Sequence, residues 1–271
     1  MEGSTARNAT RFLGRTVIIT GGSKGLGFAI AERMLAEGAS VLITARSRHP
    51  LDDAVARLEV GHRDVFGIAG DVADESVLDD IVTQALDRWG KIDVLVNNAG
   101  VDDEASFLEI DKARWQYVLD VDLTAPFFLS QLVARHMVKD GGGSIVNIAS
   151  IDGHVADGPF ASYGAAKAGL IALTKYIAVE LAPAGIRCNS ISPGCVDTPS
   201  FRSLLTPKQV AQTLASFPRA PIGRLLHPEE LAAACAYLAS DEASGVTGTD
   251  LIVDGGTLAD VHLLPTLAAE S

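Results

Sequence analysis

Short apolar runs alternate with helical stretches along almost the whole chain. Thr16-Val-Ile-Ile-Thr, Val41-Leu-Ile-Thr-Ala and Ser144-Ile-Val-Asn-Ile-Ala are runs of this kind. A strand that lacks polar alternation has both faces buried, which a parallel sheet covered by helices on both sides provides. Further strands are expected at residues 65–69, 92–96, 186–192 and 251–253. Helices are expected near 25–37, 51–59, 75–89, 112–139 and 162–181. The pattern therefore predicts an α/β fold, a doubly wound parallel sheet of about seven strands in a three-layer sandwich, with ligands at the carboxyl ends of the strands.

No repeat, low-complexity tract or linker divides the chain. A flexible segment over 1–12 followed by a single domain over 13–271 is expected. Residues 197–227 have only a weak helical pattern near 207–215, and so long an irregular segment reads as a lid or substrate loop.

Charge and cysteine usage exclude some functions. The formal net charge is −12, and Lys and Arg form no long runs, which argues against nucleic acid. Cys188, Cys195 and Cys235 are odd in number and lack CxxC spacing, so free thiols in a reducing compartment are expected. The six histidines have no metal-ligand spacing, and no metal is expected. The first dozen residues lack the apolar stretch of a signal peptide, and no apolar run approaches the ~18 residues that span a membrane. A cytoplasmic protein without membrane partners is the expectation.

Two clusters carry chemistry. Thr20-Gly-Gly-Ser-Lys-Gly-Leu-Gly lies between the first strand and the first helix. Gly21, Gly25 and Gly27 allow the backbone to turn sharply and approach a pyrophosphate, whose charge the helix N-terminus favours. The second cluster follows the strand that ends near Ala149. Tyr163 and Lys167 are four apart on a helix and share a face, and Ser150 ends the preceding strand. At ~4 Å and an effective dielectric of ~20, an ammonium stabilises a phenolate by up to ~4 kcal/mol. At ~1.4 kcal/mol per pKa unit, that brings a phenol from ~10 towards neutrality.

The motifs, in their order, resemble the short-chain dehydrogenase/reductase family in its compact single-domain branch, a Rossmann-type fold. The resemblance runs from about Gly14 to Gly256. It includes the loop Thr20 to Gly27, Asp71-Val72, Asn97-Asn98-Ala99-Gly100, Ser150, Tyr163 with Lys167, Pro193-Gly194 with Thr198, and Val253-Asp254-Gly255-Gly256. It implies an oxidoreductase that interconverts a carbonyl and a secondary alcohol, with Tyr163 as acid or base. Lys167 would stabilise tyrosinate and hold the nicotinamide ribose, and Ser150 would bind the substrate oxygen. Around the cofactor it implies Gly21, Ser23, Lys24, Gly25, Leu26 and Gly27 at the pyrophosphate. Asp71 and Val72 would stand at the adenine, and Asn98, Ala99 and Gly100 along the cleft. Pro193, Gly194, Val196 and Thr198 would stand at the carboxamide. His154 would border the substrate and Cys195 the nicotinamide.

Two positions set this chain apart. Where the family usually carries Asn in the helix after the fourth strand, this chain has Asp122, whose carboxylate would offset the pull of Lys167 on Tyr163. At the end of the second strand, Ala45 replaces the acidic residue of NAD-preferring relatives, with Arg46 and Arg48 following and Lys24 in the first loop. Such cations suit a 2′-phosphate, so NADP(H) is expected over NAD(H). Family members of this length commonly form tetramers, so a homotetramer, or else a homodimer, acting on a small-molecule substrate is expected. The alternative is a catalytically impaired nucleotide-binding sensor or scaffold.

Overall fold

The structure is a computed structural model that describes residues 10–60, 64–102 and 104–260. Seven strands form one sheet in the order β3-β2-β1-β4-β5-β6-β7, and every neighbouring pair is parallel. The strands are β1 (Thr16–Ile19), β2 (Ser40–Ala45), β3 (Val65–Ala69), β4 (Val94–Asn97), β5 (Gly143–Ile148), β6 (Ile186–Pro193) and β7 (Asp250–Val253). The order reverses between β1 and β4, which opens a crevice at the carboxyl ends of these two strands.

Alternation along each strand sends side chains to both layers. Val17 and Ile19 join a core with α1 (Gly25–Ala36), α2 (Arg48–Leu58) and the helix Pro228–Ala239. Ile18, between them, joins the opposite core with α3 (Glu75–Trp89) and the helix Ala125–Asp140. Each such side chain, wholly buried, contributes about 1.5–3 kcal/mol. Truncating Ile18 to Ala would cost about 2–5 kcal/mol.

The stretch expected as one helix over 112–139 is a helical rod in three parts. α4 (Lys112–Leu119) passes through a π-helical turn, Asp120–Thr124, into α5 (Ala125–Asp140). The wider turn brings Val121 and Asp122 inward, and both are buried. By length and composition alone the rod, Lys112–Asp140, is apolar enough to cross a membrane, as the core helix of a folded domain also can be. Half of its most apolar window is packed inside the domain. Next come α6 (Ala161–Leu181), α7 (Pro199–Ser203), α8 (Pro207–Ala215) and α9 (Pro228–Ala239).

Three further points differ from the sequence reading. α9 is a core helix packed on α1, where no helix was expected. The His227 amide donates to Glu230 at 2.7 Å to start it, and Leu231, Ala232, Cys235, Ala236 and Leu238 line its inner face. The end of the segment expected to be flexible is anchored. Phe12 is 1% exposed, and Arg11 donates to Glu37 at 2.6 and 2.8 Å. Residues 1–9 of that segment, and the chain beyond 260, lie outside the described residues. In the loop over 197–227, α8 falls on the weak helical pattern expected at 207–215, capped by Thr206 and Gln209, whereas α7 is a short helix that was not expected.

Candidate active site

The crevice is a cleft of about 420 Å³. Apart from Arg48, all the residues expected to hold the cofactor line it, together with Ser150, Tyr163 and Lys167. Asp122 lies beneath the lining, against Lys167.

At the floor, β1 ends in the glycine turn that leads into α1. A Cβ on Gly27 would stand 2.3 Å from the Gly21 carbonyl oxygen and 2.5 Å from Asn98 Nδ2, so helix and turn meet only through a bare backbone. Asn98 ties this turn to β4. Its Nδ2 donates to the carbonyls of Thr20 at 2.9 Å and Gly21 at 3.2 Å, and the Thr20 hydroxyl accepts from the Asn98 and Ala99 amides at 3.0 Å each. No side chain caps the N-terminus of α1, so its first amides are available to an anion. A dinucleotide pyrophosphate fits this donor set.

Above β2 and β3, Arg46 donates to the Tyr117 hydroxyl at 3.1 Å, and that hydroxyl donates to Asp71 at 2.9 Å. Tyr117, on α4, joins the two walls of the cleft at this end; no periodicity or motif marks it in the sequence. Arg48 turns away to pair with Asp52 at 3.6 Å and does not line the cleft.

Across the cleft, β5 leads into a tight turn, Ile151–Gly153, that rests on α6. A Cβ on Gly153 would meet Ile171 Cδ1 at 2.8 Å, which is why the turn approaches the helix so closely. This contact sets Ser150 in the same cleft wall as Tyr163. Ser150 also donates to Asp152 at 3.3 Å and accepts from the Asp152 amide at 3.1 Å.

Lys167 is 3% exposed, and its Nζ lies 5.3 Å from the centre of the Tyr163 ring. It donates to the Ile148 carbonyl at 3.0 Å and faces Asp122 Oδ2 at 3.2 Å. Asp122 Oδ1 accepts from the Val101 amide at 2.9 Å, whereas Oδ2 has the ammonium's charge but no well-directed hydrogen bond. Burial pushes the Asp122 carboxyl up, against the opposing pull of Lys167 and the Val101 amide. The sequence suggested a phenol drawn down by Lys167. In the structure the Tyr163 phenol is instead raised well above its usual value, by burial first and then by Asp102 and Asp122. Lys167 is already matched to a carboxylate, so its field at Tyr163 is largely offset.

His154 does not border the cleft. Its Nε2 lies 2.7 Å from Asp250 and 3.3 Å from Ser192, which turns the ring to the far side of β6. Cys195 does line the cleft, and burial followed by Asp157 and Asp152 pushes its thiol up to about 11. Among the described residues there is no cluster of His, Cys, Asp and Glu able to hold a metal. Thr198 caps α7 by accepting from the Phe201 amide at 3.1 Å, and so positions the loop at the cleft mouth.

The chain has many relatives. A family model described as enoyl-(acyl carrier protein) reductase matches residues 21–257. A cis-4-hydroxycyclohexanecarboxylate dehydrogenase of Sinomonas cyclohexanicum is 42% identical, over 90% of this chain and 97% of its own. A 3-oxoacyl-[acyl-carrier-protein] reductase of Thermotoga maritima is 37% identical, over 91% and 98%. Among solved structures, a protein described as a short-chain alcohol dehydrogenase, from Sinorhizobium meliloti, superposes with a TM-score of 0.86 at 31% identity, over 92% and 98%. Another, described as a gluconate dehydrogenase from Agrobacterium tumefaciens, gives 0.85 at 34%, over 94% and 99%. The chain belongs to the short-chain dehydrogenase/reductase family, the NAD(P)-dependent oxidoreductases that act on alcohol and carbonyl groups.

Proposed function

We propose that the protein is an NADP-dependent oxidoreductase that interconverts a ketone and a secondary alcohol, with Tyr163 as the proton donor and acceptor. The observation that carries this reading is the convergence of Ser150, Tyr163 and Lys167 on the same cleft as the glycine turn and Arg46. The nicotinamide, when bound, supplies or accepts the hydride. Tyr163 gives the proton from its hydroxyl to the carbonyl oxygen in reduction and takes it back in oxidation. Ser150 donates to the same oxygen and holds it in line. Lys167 stabilises the phenolate during transfer, and Asp122 keeps that ammonium in place.

The preference for NADP rests on charge. Arg46 follows Ala45 at the end of β2, Lys24 stands in the glycine turn, and both line the cleft where a 2′-phosphate would lie. The Tyr117 hydroxyl accepts from the Arg46 guanidinium and steadies it at this end of the cleft.

A sensor or scaffold is the second reading, favoured by the lysine already paired with Asp122 and by a phenol that resists ionisation. A turnover panel of ketones with NADPH and of secondary alcohols with NADP⁺ separates the two. The enzyme oxidises or reduces the nucleotide with some member. Tight nucleotide binding with no turnover across the panel would favour the sensor.

We assign the active assembly as a homotetramer, with a homodimer as the smaller alternative. Tyr176 and Val179 on α6 are 70% and 77% exposed, Tyr176 shares a surface hollow with Phe127 on α5, and a second copy would bury these apolar side chains. A monomeric mass in light scattering at micromolar concentration would contradict it. Three unpaired cysteines support a reducing, cytoplasmic setting.

A further inference from the structure

Charge is sorted along the cleft. The cations in its lining are Lys24 and Arg46 at the nucleotide end and Lys167 beneath the reaction centre. On the substrate side, three separate segments contribute carboxylates: Asp102 after β4, Asp152 in the turn after β5, and Asp157 before α6. The cleft is identified as a site by Ser150, Tyr163 and Lys167, independently of these acids.

The cations near that side are already matched. Arg219 lies 3.3 Å from Asp157, and Arg202 forms a fork on Asp197 at 2.6 and 2.8 Å. Lys167 is paired with Asp122. An anionic substrate therefore meets two further carboxylates, Asp102 and Asp152, in a lining whose only cations among the described residues are Lys24, Arg46 and the Asp122-paired Lys167. Asp102 receives a hydrogen bond at 2.8 Å from Ser200 on α7, which keeps its carboxylate at the cleft mouth. Asp152 is two residues from Ser150 and receives its hydroxyl. Phe160, Ile151, Phe201 and Leu204 supply the apolar part of the lining.

From this arrangement we infer that the substrate carries a protonated amine on a hydrocarbon frame, an amino ketone in one direction and an amino alcohol in the other. The inference rests on the proposed oxidoreductase reading. The chemistry at the carbon is unchanged. Hydride from the reduced nicotinamide forms the C–H bond, the Tyr163 proton forms the O–H bond, and the amine stays intact. Each group around the reaction centre feels the same negative field. Asp102 and Asp122 help to raise Tyr163, and Asp157 and Asp152 help to raise Cys195. An ammonium bound there offsets the carboxylates and makes the phenolate easier to form, so the substrate itself assists oxidation.

The test uses one ring with different charges: cis-4-aminocyclohexanol, cyclohexanol and cis-4-hydroxycyclohexanecarboxylate. Binding to the protein–NADPH complex is read by nucleotide fluorescence, and turnover separately with NADP⁺. The amine is expected to bind at least about tenfold tighter than the neutral ring, and the carboxylate weaker than either. In the double variant Asp102→Asn, Asp152→Asn, the ratio of amine to neutral affinity should fall towards one. A carboxylate that binds as tightly as the amine, an amine with no advantage, or a ratio unmoved by the double variant overturns the inference. If the amine binds tightest but no alcohol is oxidised, the charge inference stands and the oxidoreductase reading fails. If the neutral ring is oxidised and the amine gains nothing, the reverse holds.

Discussion

Asp122 Oδ2 lies 3.2 Å from Lys167 Nζ, with both side chains withdrawn from solvent beneath the reaction cleft. The sequence leads one to expect Asp122 to offset the pull of Lys167; the π-helical turn brings the two into direct contact. The pair matters because Lys167 is the charge that would favour a Tyr163 phenolate, and a carboxylate on its far side opposes it.

The first prediction follows from that opposition. Asp122 raises the Tyr163 phenol, so removing its charge should lower it. Asp122→Asn keeps the side-chain shape and an acceptor for the Val101 amide. The alkaline rise in kcat/KM for alcohol oxidation should move to lower pH. NADPH affinity should change little. Superimposable profiles would show that Asp122 does not act on the phenol.

Cofactor choice gives the second. Arg46→Ala removes the guanidinium held by Tyr117, and a charge-assisted hydrogen bond of about 1.5–3 kcal/mol goes with it. NADPH should bind roughly ten- to a hundredfold more weakly, and NADH should be nearly unaffected. Nucleotide fluorescence titrations measure both. Parallel losses would mean that Arg46 serves the adenine rather than a phosphate.

Asp152 gives the third, through its pKa. Burial and the neighbouring Asp157 and Asp102 raise its carboxyl to about 6, against the lowering effect of the Ser150 hydroxyl. The raised carboxyl is neutral well below that pH and anionic above it. The advantage of an ammonium-bearing ring over a neutral one should therefore grow as pH rises through about 6. It should be flat in Asp152→Asn over the same range. A constant ratio in the unmodified protein would remove Asp152 from substrate recognition.

The sheet was legible in the sequence because its strands are apolar runs between glycine turns, and β3 falls at the residues expected, 65–69. The glycine turn and the Ser150, Tyr163 and Lys167 set were legible because each follows a strand end in a fixed order. α9 was not: its Ala-rich inner face is weakly apolar, and its starting signal lies in Glu230 behind a proline. The π-helical turn leaves no mark in spacing, so the direct contact of Asp122 with Lys167 was not legible. Tyr117 and the three substrate-side carboxylates come from segments far apart in the chain, and only the closed fold sets them in one cleft.

The central claim is that Tyr163 moves the proton. The most direct test compares the unmodified protein with Tyr163→Phe, following nicotinamide absorbance on a substrate found active in the panel and, in parallel, NADPH binding by fluorescence. The phenylalanine keeps the ring that packs beside Phe160 and loses only the hydroxyl. Turnover should fall by about 10²–10⁴-fold while NADPH binds as before. A variant that turns over at the unmodified rate would contradict the account and move the proton to another group.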